Sequence, residues 1–171
     1  MYKLDANAQT VFRALIGRTI TKVHALDPIE NEKMPGTSLM VFTQPLILDF
    51  EHEKLNVRYT NYEVEGGEMY FNYDLLWTEV FENNSSYRSY SFNGCIEKVE
   101  TFGRVIPEDV EAMPSGEITE EIFLFHFSDY KQLYIAFSGC SPYIKIETDR
   151  QTIQLSLTGS NFDYQKVNEF T

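Results

Sequence analysis

The chain has 171 residues, with 14 basic against 26 acidic side chains and a formal charge of −12. That field repels nucleic acid and anionic membrane, whose phosphates require clustered Lys and Arg. Hydrophobic residues make up 43% and aromatics 15%, enough for a packed core and too much for wholesale disorder.

The length fits one domain over residues 1–171, or two small halves around a shared core. Two cysteines, Cys95 and Cys140, do not make a disulfide framework. Each follows a glycine and reads as a small buried residue. The opening MYKLDANAQTVF lacks the basic start and apolar run of a signal peptide. No window approaches 18 apolar residues. Cytoplasmic residence is therefore expected.

In chain order, residues 5–15 form the clearest helix. Asp5 is placed to cap it, Val11, Phe12, Leu15 and Ile16 make an apolar stripe, and Gly17 supplies the stop. A strand follows over 18–26, with Ile20 and Val23 facing inward, then a Pro- and charge-bearing loop over 27–37. Residues 38–50 read as one strand interrupted at Pro45, which cannot donate to a ladder. The sequence Glu51-His52-Glu53-Lys54 reads as a turn, and Leu55, Val57 and Tyr59 open the next strand. Gly66-Gly67 turns the chain into alternating Met69, Phe71 and Tyr73, and 75–81 reads as strand. Asn83-Asn84-Ser85-Ser86 marks an internal break.

The second half opens with a strand over 87–92, an Asn93-Gly94 turn signal and a strand over 95–104. An acidic loop follows over 107–116, with a helical turn at 108–112. Residues 115–149 then hold the best-patterned stretch. Ile118, Ile122 and Leu124 alternate with Phe123, Phe125 and Phe127. Ser128-Asp129-Tyr130-Lys131 makes a polar turn, and Leu133, Ile135 and Phe137 return at period two. A strand over 143–148 follows. Ile153, Leu155 and Leu157 alternate as a last strand, and the tail from Ser160 has no assignment. The fold class is thus mainly β (α+β): antiparallel meanders in a two-sheet sandwich or half-barrel, with one N-terminal helix.

Features recur in order between residues 17–82 and 94–158. Gly17, Ile20, Lys22 and Val23 find Gly94, Ile96, Lys98 and Val99. Met34-Pro35 finds Met113-Pro114. Leu48 and Phe50 find Phe125 and Phe127, and Leu55 and Val57 find Leu133 and Ile135. An internal duplication is expected, each half burying a face against the other.

Catalytic constellations are not evident. The three histidines, His24, His52 and His126, form no H-x-H or H-E-x-x-H metal spacing, and no phosphate loop or G-x-S-x-G stands in the chain. Glu51-His52-Glu53 falls in a turn and reads as solvated. His126 reads as a satisfied, half-buried histidine. No metal, cofactor or enzymatic activity is expected.

The tyrosine-rich segment 59–90 stands out. Tyr59, Tyr62, Tyr70, Tyr73, Trp77, Tyr87 and Tyr90 lie among Glu63, Glu65, Glu68, Asp74, Glu79 and Glu82, with Arg58 and Arg88 alone offsetting them. Stacking platforms for bases need a basic groove beside them, so nucleic acid is not the expected ligand. A protein interface uses large stiff aromatics inside a charged rim. The candidate partner-binding residues are Tyr59, Tyr62, Glu63, Glu65, Glu68, Tyr70, Asp74, Trp77, Glu79, Tyr87 and Tyr90. In overall character, a short acidic domain with an aromatic-plus-acidic segment, the chain resembles the small acidic immunity proteins of bacterial contact-dependent growth-inhibition and related toxin systems. The resemblance implies a non-enzymatic cytoplasmic inhibitor that binds and blocks a basic toxin domain, such as a nuclease. The alternatives from the residues are a small-ligand-binding barrel or sandwich lined with aromatics and, third, an enzyme using Cys140 or the histidines.

Overall fold

The computed structural model describes residues 4–26, 40–43, 46–64, 68–78, 87–105, 118–137, 143–158 and 164–171. The expected loops over 27–37 and 107–116, Gly66-Gly67, the 83–86 break, Pro45 and Cys140 lie outside them.

Helix α1 spans Ala6–Leu15 as the sequence predicts. The Asp5 carboxylate accepts the Ala8 backbone N–H at 2.7 Å, satisfying one of the first-turn donors that a helix leaves unpaired. Ala8, Val11, Phe12 and Leu15 make its buried face. Gly17 then takes a φ of 79°, a conformation open to glycine at little cost.

Ten strands follow among the described residues: β1 (Thr19–Leu26), β2 (Met40–Thr43), β3 (Leu46–Asp49), β4 (Lys54–Val64), β5 (Glu68–Thr78), β6 (Tyr87–Val105), β7 (Ile118–Phe127), β8 (Gln132–Phe137), β9 (Tyr143–Glu147) and, after helix α2 (Arg150–Thr158), β10 (Gln165–Phe170). They form one open antiparallel sheet in the order β2-β9-β8-β7-β6-β1-β3-β4-β5, with β10 also paired to β6. The mainly antiparallel β fold with an N-terminal helix is as expected, and its strands join in one open sheet.

The long strand β6 joins the two parts of this sheet. Residues 87–95 pair with β1. Residues 96–105 pair with β7 on one edge, so β10, which pairs with 99–103, must take the other edge, following on from β1. Asn93-Gly94 therefore does not turn the chain, contrary to expectation. Asn93 takes a φ of 56° within a continuous strand, and the β1–β6 register shifts at the facing Ile20/Lys22 step. This is a bulge, which bends a strand without ending it. Ile20 and Val23 are both buried in the main core, as expected.

Two other expectations are corrected, and the tail gains an assignment. Residues 38–50 are two separate strands, not one interrupted strand: β2 pairs with β9 and β3 with β1, toward opposite ends of the sheet. Residues 153–157 are helical, so two helices stand among the described residues where one was expected. Asp149 accepts the Thr152 N–H at 2.8 Å, and this cap starts α2 where the alternating apolar pattern reads as strand. The unassigned tail forms β10.

The main core lies on the α1 face. Phe12 meets Phe123 edge-on, with centroids 4.8 Å apart, and stacks on Phe170 at 5.6 Å. Helix α1 also lies against β5. Five strand spacings separate β7 from β5, about 24 Å if flat, against a helix width of about 10–12 Å, so the sheet curls around α1. On the opposite face a smaller cluster of Ile122, Leu124, Tyr134 and Ala136 packs on Ile153 of α2. Both faces of β7 and β8 are thereby covered, which is why 121–125 and 133–137 are buried without alternation.

The registers of the two halves coincide. Adding 76 to β1 positions and 77 to β3 positions turns Val23↔Leu48, His24↔Ile47 and Ala25↔Leu46 into Val99↔Phe125, Glu100↔Leu124 and Thr101↔Phe123, all observed between β6 and β7. Adding 77 to β3 and 78 to β4 turns Leu46↔Val57, Leu48↔Leu55 and Asp49↔Lys54 into Phe123↔Ile135, Phe125↔Leu133 and His126↔Gln132, again observed.

Candidate functional site

The β4–β5 hairpin lies at one end of the sheet and outruns its neighbour. Strand β3 pairs only with Lys54, Leu55, Asn56 and Val57 of β4, whereas β4 and β5 remain paired through Val64↔Glu68. Among the described strands, 58–64 and 68–74 pair only with each other, as a two-stranded ribbon. Its register sets Tyr59 opposite Tyr73, Tyr62 opposite Tyr70, Glu63 opposite Met69 and Arg58 opposite Asp74. Six predicted site residues, Tyr59, Tyr62, Glu63, Glu68, Tyr70 and Asp74, thus share one ribbon. Glu65 and Glu79 lie outside the described residues.

Trp77 sits at the base of this ribbon, half-buried against the main core. Its ring is 5.5 Å from Phe50, and the Arg18 guanidinium lies 4.5 Å above it while pairing with Glu53 at 2.6 Å. Cation–π contact of this kind fixes the ring's attitude. Tyr87 and Tyr90 do not join the ribbon. They lie on β6, three strands away across β1 and β3. Tyr90 packs against the core margin, and partial burial raises the Tyr87 hydroxyl above its usual value.

Sequence reasoning missed Leu76, which is 46% exposed. It sits between Leu75 and Trp77 in what reads as a buried apolar run. Strand alternation sends Leu75 and Trp77 inward and Leu76 out.

Two histidine–carboxylate pairs pin neighbouring strands at matching positions. His24 Nε2 is 3.0 Å from Asp49 Oδ2 across β1 and β3. His126 Nε2 is 2.6 Å from Glu100 Oε2 across β7 and β6. The offsets of 76 and 77 carry His24 onto Glu100 and Asp49 onto His126, so the two identities are exchanged. His126 is satisfied and half-buried, as expected from sequence, and His52 is exposed in a bend.

Burial pushes the Glu100 carboxyl up, but hydrogen bonds from Lys98 and His126 outweigh it and hold the group down at about 2. The Lys166 ammonium adds a third contact at 3.3 Å. Burial, helped by Lys98 and Arg150, lowers the His126 pKa against the pull of Glu100. The neutral ring donates from Nε2 to the carboxylate and accepts at Nδ1 from Gln132 at 3.2 Å.

Cys95 is a free thiol. It is half-buried rather than fully buried, with its sulfur 3.6 Å from the Gly17 carbonyl. Among the described residues no group of three His, Cys, Asp or Glu side chains is arranged to hold a metal. Nor does any helix among them have the length and apolarity to cross a membrane.

Comparison with known protein families, with curated proteins and with solved structures gave no match.

Proposed function

We propose that the chain is a protein-binding inhibitor of the immunity type, which occludes a basic partner such as a nuclease toxin and works in the cytoplasm. The observation that carries this reading is the β4–β5 ribbon: two eleven-residue strands extending beyond β3 at the end of the sheet, with tyrosines and carboxylates in paired register. Tyrosine supplies contact area at low entropic cost, and a formal charge of −12 accelerates encounter with a basic surface. The outer edge of β5 has no strand partner among the described residues and carries no Lys or Pro, the usual devices that block edge pairing.

The core aromatics support this reading over a small-ligand cavity, because they face one another. Phe12 packs on Phe123, Phe123 on Phe137, and Phe92 on Phe127. The test is co-expression with a basic toxin domain encoded beside the gene. Protection of the host should be lost with Glu63→Lys/Glu68→Lys, while the variant remains folded. Full protection by that variant would remove the ribbon from the interface.

The coincident registers support descent of 17–82 and 94–158 from one repeated unit. On this reading, β1, β3 and β4 correspond to the second part of β6, β7 and β8, and the exchanged His–carboxylate pair is a shared structural position.

A further inference from the structure

Across β6, β1 and β3, three polar side chains form a line. Ser89 lies directly opposite His24 in the β1–β6 register, with Oγ 2.7 Å from His24 Nδ1. His24 Nε2 is 3.0 Å from Asp49 Oδ2. Asp49 is anchored in turn, its other oxygen 3.4 Å from the Lys54 ammonium. A carboxylate only accepts, so Nε2 must carry the ring proton. In its neutral form the ring has its lone pair at Nδ1, placed to accept the Ser89 hydroxyl proton. Ser89 is exposed, whereas His24 is 5% exposed. A reagent in solvent can thus reach the hydroxyl while its base stays sheltered.

From this geometry we infer that Ser89 is an activated nucleophile, with His24 as its general base and Asp49 as the positioning residue that fixes the ring's tautomer. The ring nitrogens are exchanged relative to the familiar Ser-His-Asp order, but the proton path is the same. The matching site in the second half supplies an internal contrast. There Glu100 replaces His24, His126 replaces Asp49, and Glu169 stands opposite Glu100, so the strand-pinning pair persists without a hydroxyl.

The chemistry is acyl transfer from an activated ester. Ser89 Oγ attacks the carbonyl carbon as its proton passes to His24 Nδ1. The tetrahedral oxyanion collapses and expels the alkoxide or phenolate, which takes that proton from the imidazolium. An acyl–Ser89 ester and a free alcohol remain. This inference stands apart from the partner-binding reading, because it uses different strands and needs no protein partner.

The test treats the full-length folded chain with p-nitrophenyl acetate and, separately, with an alkyl fluorophosphonate, whose fluoride leaves as the Ser89–phosphorus bond forms. Peptide mass mapping then locates the label. A general base contributes about 10²–10⁴-fold, so Ser89 should label at least about 100-fold faster than the other exposed serines. The signal should vanish in Ser89→Ala, which alters an exposed side chain. It should fall at least about tenfold in Asp49→Asn, with imidazole ¹⁵N shifts reporting loss of the single Nε2–H tautomer. Absence of label on folded protein would overturn the assignment. So would labelling spread evenly over serines, or a Ser89 rate unchanged in Asp49→Asn.

Discussion

A β-carbon added at Gly94 would lie 2.5 Å from Phe127 Cδ1 and 3.0 Å from Phe92 Cε1. Those rings pack on each other at 4.7 Å, so neither yields freely. Gly94→Ala should therefore destabilise by about 1–3 kcal/mol, the range for overpacking a filled site, as read from urea midpoints. The Glu100–His126 pair gives a second residue-scale prediction. Both groups have native pKa values below their ordinary ones, so the unfolded chain binds protons more readily and stability falls as pH falls. The loss should begin near the ordinary imidazole value of 6.5. It should continue as pH drops from 4.5 toward about 2, the span over which Glu100 is shifted. His126→Gln should flatten the upper part of a stability–pH curve and Glu100→Gln the lower part. Curves unchanged by either substitution would contradict this. The role of His126 as a satisfied half-buried histidine was legible in its strand position. Its exchange relation with His24 was not, because it depends on a cross-strand diagonal, and one sequence does not specify register.

Among the elements, α1 was fully legible: cap, apolar stripe and glycine stop all agree along the chain. Helix α2 was not. Ile153, Leu155 and Leu157 fit a period of two, yet only Ile153 is buried and Leu155 is 61% exposed. The Asp149 cap outweighs that pattern. Asp149→Ala should cost about 1 kcal/mol, as loss of a helix cap does, while Leu155→Gln should stay within about 0.5 kcal/mol, as exposed changes do. A strand would give the opposite ranking in thermal melts. Asn93-Gly94 misled for a related reason. The dipeptide favours positive φ, and β6 uses that freedom for a bulge under Phe127 where a hairpin was expected. The β7–β8 hairpin was legible because its apolar run and polar turn point the same way, with Tyr130 held at a φ of 65° in the turn.

At the scale of the whole molecule, the curled sheet depends on its grip on α1. Phe12→Ala removes a ring that contacts Phe123, Phe125 and Phe170. It should cost about 3–5 kcal/mol, measured by equilibrium denaturation. The acidic, tyrosine-rich character of the β4–β5 ribbon was legible in composition, but its extent was not. Tyr87 and Tyr90 are near the ribbon in sequence and three strands from it in the sheet, while Leu76 went unnoticed. Composition reports which residues are available, and strand order decides which of them meet. The claim that this ribbon meets a basic protein is tested most directly by the association rate with the basic toxin domain proposed as its partner, followed by stopped flow from about 20 to 500 mM salt. Electrostatic steering changes on-rates by about 10–10³-fold. The wild-type rate should therefore fall at least about tenfold across that range, and Glu63→Lys/Glu65→Lys/Glu68→Lys should be slow at low salt with a flattened dependence. Equal rates at all salt concentrations, or equal rates for the two proteins, would contradict the account.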